Sequence, residues 1–215
     1  MTGTQRALAM SESDAQMEAQ VFTFASSPFV PVAIGFWGSG TGYFIWGGQA
    51  LFGFPKASPD VNRTLGIWGF WMPGFMQFLT GLPLLTELTW FNVFSKAAPL
   101  YMTGHAFTAY GIHWFAMSYR RYINSSAQPD GWTAIAFLFL SILGVDVFRR
   151  AGEIPVMLIF VGLTLIYAIG IPTRLLSCTP GGRLVGLFQF ITGTWLMYCT
   201  CAMTVDLAVG AKAWV

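Results

Sequence analysis

Charge is scarce in this chain. Of 215 residues only 11 are Lys or Arg and 9 are Asp or Glu, together 9%, against about 25% in an ordinary soluble domain. A formal net charge of +2, with no basic run that would follow a phosphate backbone, excludes nucleic acid as a partner. Histidine is scarcer still: His105 and His113 are the only two, and both fall in one apolar stretch. On a helix that spacing separates them by about 12 Å of rise and roughly 80° of rotation, so they cannot clamp one haem between them. No clustered acids or further histidines complete a metal site, so neither metal nor cofactor is expected. The three cysteines, Cys178, Cys199 and Cys201, are odd in number and lack metal-ligand spacing, which argues against a disulfide framework and for small buried apolar side chains. Hydrolase serine motifs are missing. The glycines of Gly35-Phe36-Trp37-Gly38-Ser39-Gly40 are in the wrong arrangement for a phosphate loop, and no Lys follows them. The chain is read as a non-enzyme.

What is abundant is apolar surface: 55% of the residues are hydrophobic and 17% aromatic, the composition of an integral membrane protein. The fold class expected is all-α, a polytopic bundle of six transmembrane helices, because a helix needs about 20 apolar residues to cross about 30 Å of hydrocarbon. The spans are read at Pro31–Phe52, Thr64–Thr86, Ala97–Tyr119, Gly131 to the Asp146–Arg150 region, Ile154–Thr173 and Leu184–Val205. They make one domain over residues 27–210, flanked by a polar N-terminal segment, 1–26, and a short C-terminal tail, 211–215. The N-terminal segment lacks the basic start and apolar core of a secretory signal; its alternation at Met17–Phe24 reads equally as a surface helix or a plain tail. Ala97–Tyr119 holds both histidines and a stripe of Thr103, Phe107, Tyr110, Trp114 and Met117. Polar groups in lipid must face protein or trapped water, which puts this helix at the centre of the bundle.

Other intramembrane features have two readings each. The glycines of the first span favour close packing over local unwinding at a ligand. Gln77 needs a partner either across a helix interface or in a watered pore. Asp146 is read as pairing with Arg149 and Arg150 rather than carrying protons. Six spans put five Lys and Arg on one side and six on the other, so positive charge does not orient the chain.

Phe107-Thr108-Ala109-Tyr110-Gly111-Ile112-His113-Trp114 resembles the third-helix signature Phe-Thr-Ser-Tyr-Gly-x-Phe-Trp of the acetate uptake transporters, the succinate–acetate permease family of microbes. Gly74-Phe75-Met76-Gln77-Phe78-Leu79-Thr80-Gly81 is similar to the family's second helix, and the resemblance extends more loosely through Phe160–Leu165 and Gly186–Thr194. Where the family opens its first helix with Asn-Pro-Ala-Pro-Leu-Gly, this chain reads Ser27-Pro28-Phe29-Val30-Pro31-Val32, and Leu82-Pro83-Leu84 occupies the region where an acid often follows the second-helix glycine.

The resemblance implies six-helix protomers assembled as hexamers in a bacterial inner or plasma membrane, each with its own path for small monocarboxylates such as acetate, and succinate, with proton linkage. The path would narrow at a hydrophobic ring of Phe36, Tyr110 and one of Leu163 or Leu165. Ser27, Gln77 and Thr108 would contact the substrate, since neutral hydroxyls and amides replace a carboxylate's hydration without trapping it. His113 is the candidate for proton coupling, because its ordinary pKa lies near neutrality; packing in the bundle is the other reading. The partners implied are the lipid bilayer, a small carboxylate and further copies of the chain. The altered first-helix motif and nine tryptophans support an alternative, a transport-silent relative serving as a structural subunit of a larger respiratory or photosynthetic membrane complex.

Overall fold

A computed structural model describes residues 32–91, 98–177 and 179–209. Among them lie six helical segments and no strand. The N-terminal segment with Ser27 and its motif, Cys178 and the C-terminal tail lie outside the described residues. Helix α1 is Val32–Phe52. Helix α2 covers residues 59–91 and alternates α-helical stretches, Pro59–Gly69 and Met76–Thr86, with wider π-helical turns, Phe70–Phe75 and Glu87–Phe91. Helices α3, Ala98–Tyr122, α4, Pro129–Ala151, α5, Ile154–Leu175, and α6, Thr179–Val209, complete the chain. The second segment begins earlier than its apolar run, at Pro59, because Ser58 caps it: its Oγ accepts from the Val61 N–H at 3.2 Å. Proline is favoured at that first helical position, where its missing N–H would have no partner anyway. Inside α2 the first π turn holds Pro73, whose ring clashes with the carbonyl four residues back; the wider turn relieves the crowding.

Pro129–Ala151, Ile154–Leu175 and the Pro180–Asp206 part of α6 are each long and apolar enough to cross a membrane. Residues such as Gly, Trp, Gln and His lower the hydropathy of α1, α2 and α3. The chain is an integral membrane protein.

The helices form a closed ring. Each packs on its neighbours in chain order, and α6 returns to pack extensively on α1. Helix α3 is therefore one stave of this ring, between α2 and α4, and not the central helix its polar content suggests; what fills the middle is the side chains all six staves point inward.

Glycine sets how closely the staves approach. Gly40 and Gly47 of α1 meet Gly193 and Gly186 of α6, and Gly74 and Gly81 of α2 meet Gly111 and Gly104 of α3. Members of each pair are seven residues apart, two helical turns, and so share one face. A methyl group on Gly47 would lie 3.0 Å from the Gly186 carbonyl, and one on Gly111 would lie 2.7 Å from the Phe78 N–H nitrogen. Small residues let membrane helices gain dispersion contacts in the absence of a hydrophobic drive between them. Helix α1 stays helical throughout, so its glycines serve packing rather than unwinding.

Polar groups are satisfied locally. Thr80, Thr103, Thr108, Ser141, Thr164 and Thr200 each donate to the carbonyl four residues back at 2.7–2.8 Å. The indole N–H groups of Trp46 and Trp195 donate to the carbonyls of Leu65, at 3.0 Å, and Pro155, at 2.8 Å. Asp146 accepts from Arg149 at 3.0 Å and Arg150 at 2.7 Å, the pairing expected of it. Cys199 is buried, whereas Cys201 is exposed, a departure from the expectation for both; two positions along a helix put it about 200° round, on the outside of the ring.

Candidate functional site: an apolar chamber and a basic vestibule

Inside the ring is a chamber with about 450 Å³ of empty space, its mouth included. Helix α1 contributes Phe36, Ser39 and Tyr43, α2 Gln77, α3 Thr103, Ala106, Phe107 and Tyr110, α5 Val156, Ile159, Phe160 and Leu163, and α6 Leu196. On α1 and α3 the lining positions recur every three or four residues, the stripe a helix turns toward one neighbour. Apolar and aromatic side chains dominate the wall, with a few polar groups set into it.

Those polar groups differ in what they offer a ligand. Ser39 donates to the Gly35 carbonyl at 2.8 Å, and Thr103 donates to that of Pro99 at 2.8 Å. Tyr110 Oη lies 2.8 Å from Ser141 Oγ. The Ser141 hydroxyl has one proton, which goes to the Phe137 carbonyl at 2.7 Å, so in their shared bond Tyr110 is the donor. Three of the wall's hydroxyl protons are thus committed. The Gln77 amide and the Tyr43 hydroxyl make no hydrogen bond among the described residues. They are the donors the chamber presents to an anion, and a carboxylate needs such donors when it leaves water.

Trp114 is packed behind the chamber wall. It is 1% exposed and wedges between Tyr43, ring centres 5.6 Å apart, and Trp46, 4.8 Å apart in an edge-on arrangement. Tyr43 lines the chamber and Trp46 lines a second cavity beyond it, so this indole lies between the two walls. The second cavity is a wide vestibule of about 950 Å³, open to solvent, at the end where α3 finishes and α6 begins. Its wall includes Arg120, Arg121 and Arg174 together with Asn62, Thr173 and Gln189. Arg121 stacks over the Trp46 ring at 4.7 Å and donates to Gln49 and Asn62.

Of the residues singled out in the sequence, Phe36, Tyr110, Leu163 and Gln77 come together on the chamber wall. Phe36 packs on Phe107 with ring centres 5.4 Å apart. Leu165 does not join them: it is 38% exposed, because two positions beyond Leu163 the side chain points out of the ring. Thr108 is half-buried in the α2–α3 seam, where a methyl group on Gly81 would press on it; it does not line the chamber. His113 is buried behind Tyr110, its ring stacked on Phe137 at 4.1 Å and near Tyr167 at 5.8 Å, and it lines neither cavity. Ser27 is outside the described residues. Sequence reasoning missed Tyr43, though it stands seven residues after Phe36 and so on the same face. It also missed Ser141, the partner of Tyr110, for which no local signal exists because the pairing is across helices.

No protein-family model matches the chain, and no curated protein matches its sequence. Among solved structures it is similar to the bacterial acetate channel SatP, with a TM-score of 0.63 and 16% identity, over 84% of this chain and 94% of that one. At that identity the likeness is one of fold, and it is the fold the third-helix resemblance implies.

Proposed function

From the fold shared with an acetate channel we propose that this protein is a divergent acetate uptake transporter, a membrane conduit for small monocarboxylates such as acetate. One observation carries the reading: Phe36, Tyr110, Leu163 and Gln77 converge from four helices on a single chamber. The apolar wall suits the methyl end of acetate, while the Gln77 amide and Tyr43 hydroxyl suit its carboxylate, and a neutral lining releases an anion that a fixed cation would hold. All six helices cross the bilayer in this reading, and the outward Trp68, Trp71, Phe75 and Leu79 of α2 face lipid or a second copy of the chain. Uptake of labelled acetate into proteoliposomes tests it. Uptake faster than into empty vesicles, altered in rate or selectivity by Tyr110→Ala, is expected; uptake equal to that of empty vesicles at every pH gradient overturns it.

A second reading, a transport-silent structural subunit, is favoured by the Trp114 indole packed between Tyr43 of the chamber wall and Trp46 of the vestibule wall. Stoichiometric copurification with other membrane subunits, together with silent proteoliposomes, would establish it in place of the first.

A further inference from the structure

The vestibule holds a charge that its surroundings answer only in part. Arg174 stands in the last turn of α5, and its guanidinium folds back inside the ring over Gly170, one turn earlier, where a methyl group would lie 3.8 Å from Cζ and Nη1. The guanidinium's contact with protein is weak: Nη2 is 3.9 Å from the Met117 sulfur, and Nη1 is buried without a hydrogen-bond partner. Burying a guanidinium is costly unless its donors are paired.

Asp130 acts on Arg174 through space but makes no ion pair with it. Asp130, at the start of α4, forms an ion pair with Arg120 at 2.6 Å. Arg121 is held by neutral groups, Gln49, Asn62 and the Trp46 face. Among the described residues the vestibule wall has three arginines and no acid, so with Asp130 set against Arg120 a surplus of two positive charges remains. Fixed cations around a concave, partly enclosed space raise the local concentration of anions. The first turn of α6 also reaches this wall through Gly182, adding the positive end of a helix.

We propose that the vestibule is a binding site for a small oxyanion, carboxylate or phosphate, anchored by the fork of Arg174 and framed by Arg121 and Gln189. A planar guanidinium binds either group through two parallel N–H donors. The site is separate from the neutral chamber, lies on the other side of Trp114, and binds whether or not the chamber conducts. The oxyanion has two sources, a free anion or the phosphate of a lipid headgroup.

Thermal unfolding of the purified full chain in lipid-free detergent, at constant ionic strength, reads binding without transport. Sodium acetate, succinate and phosphate are titrated against chloride, and phosphatidylglycerol against phosphatidylcholine. A saturable rise in Tm of a few degrees is expected with at least one oxyanion, lost in Arg174→Gln, weakened in Arg174→Lys, and retained in Arg149→Gln, which alters an exposed arginine at the other end of α4. A response confined to phosphatidylglycerol assigns the site to a lipid headgroup, and a response to soluble anions assigns it to a free ligand. If Arg174→Gln responds as the parent does, or the parent responds to none of these oxyanions, the proposal is overturned. Because no flux is measured, silent proteoliposomes bear on the conduit and leave this test intact.

Discussion

Replacing Trp114 with alanine should join the two cavities. The indole is 1% exposed and makes two ring contacts, with Tyr43 and Trp46, so nearly all of its surface is traded for packing. Truncating a buried tryptophan to alanine costs about 3–5 kcal/mol, a figure that includes about 0.5–1.5 kcal/mol for each aromatic pair. At about 2–4 °C per kcal/mol for a chain of this size, Tm should fall by roughly 6–20 °C. The same deletion opens space where Tyr43 of the chamber wall and Trp46 of the vestibule wall approach each other. A solvated opening there lowers the barrier to a carboxylate, and each 1.4 kcal/mol removed is worth about tenfold in rate. Labelled acetate uptake into proteoliposomes should therefore rise about tenfold, and the ratio of butyrate to acetate uptake should rise with it. Trp114→Phe, which keeps a ring against Tyr43, should lie between the two and guards against a variant that does not assemble. If Trp114→Ala is monodisperse, melts lower as expected and still passes acetate no faster than the parent, the indole is not the barrier.

Three smaller perturbations separate packing from passage. Tyr110→Phe removes the donor to Ser141 while Ser141 keeps its bond to the Phe137 carbonyl; the loss should be about 0.5–1.5 kcal/mol in thermal or denaturant unfolding, with acetate uptake within about twofold of the parent. Gly81→Ala drives a methyl group against the Thr108 backbone and to 2.8 Å from the Gly104 carbonyl, neither of which can rotate away, so it should cost about 1–3 kcal/mol, read as a lower Tm in detergent. His113→Phe keeps a ring stacked on Phe137 and should leave both uptake and its response to a pH gradient unchanged. Loss of the gradient response in that variant, with the protein still folded, would give His113 the coupling role its placement behind Tyr110 argues against.

The helices themselves are legible without a structure. A bilayer demands about 20 apolar residues per crossing and offers no partner for a bare backbone, so composition alone marks six segments. The spacing of Gly74 with Gly81, Gly104 with Gly111, and Gly40 with Gly47 was equally open to view, and it is this seven-residue repeat that seats α2 on α3 and α1 on α6. The signature around Tyr110 pointed to the right fold, and Phe36 and Gln77 share one cavity with it, because a short motif and a helical period are local properties of a chain.

What the chain order leaves open is which way each helix faces once its neighbours are in place. Leu163 and Leu165 are equally apolar and two positions apart, so the pattern does not choose between them; the ring does, by turning Leu163 inward and leaving Leu165 outside. The same closure makes α3 a stave rather than an axis, puts Ser141 within reach of Tyr110, sets Trp114 between Tyr43 and Trp46, and folds Arg174 over Gly170 into the vestibule. Each of these depends on contacts between helices or on the one free face of a residue inside them. Periodicity fixes angles within a helix, but only tertiary packing sets the rotation of one helix against the next.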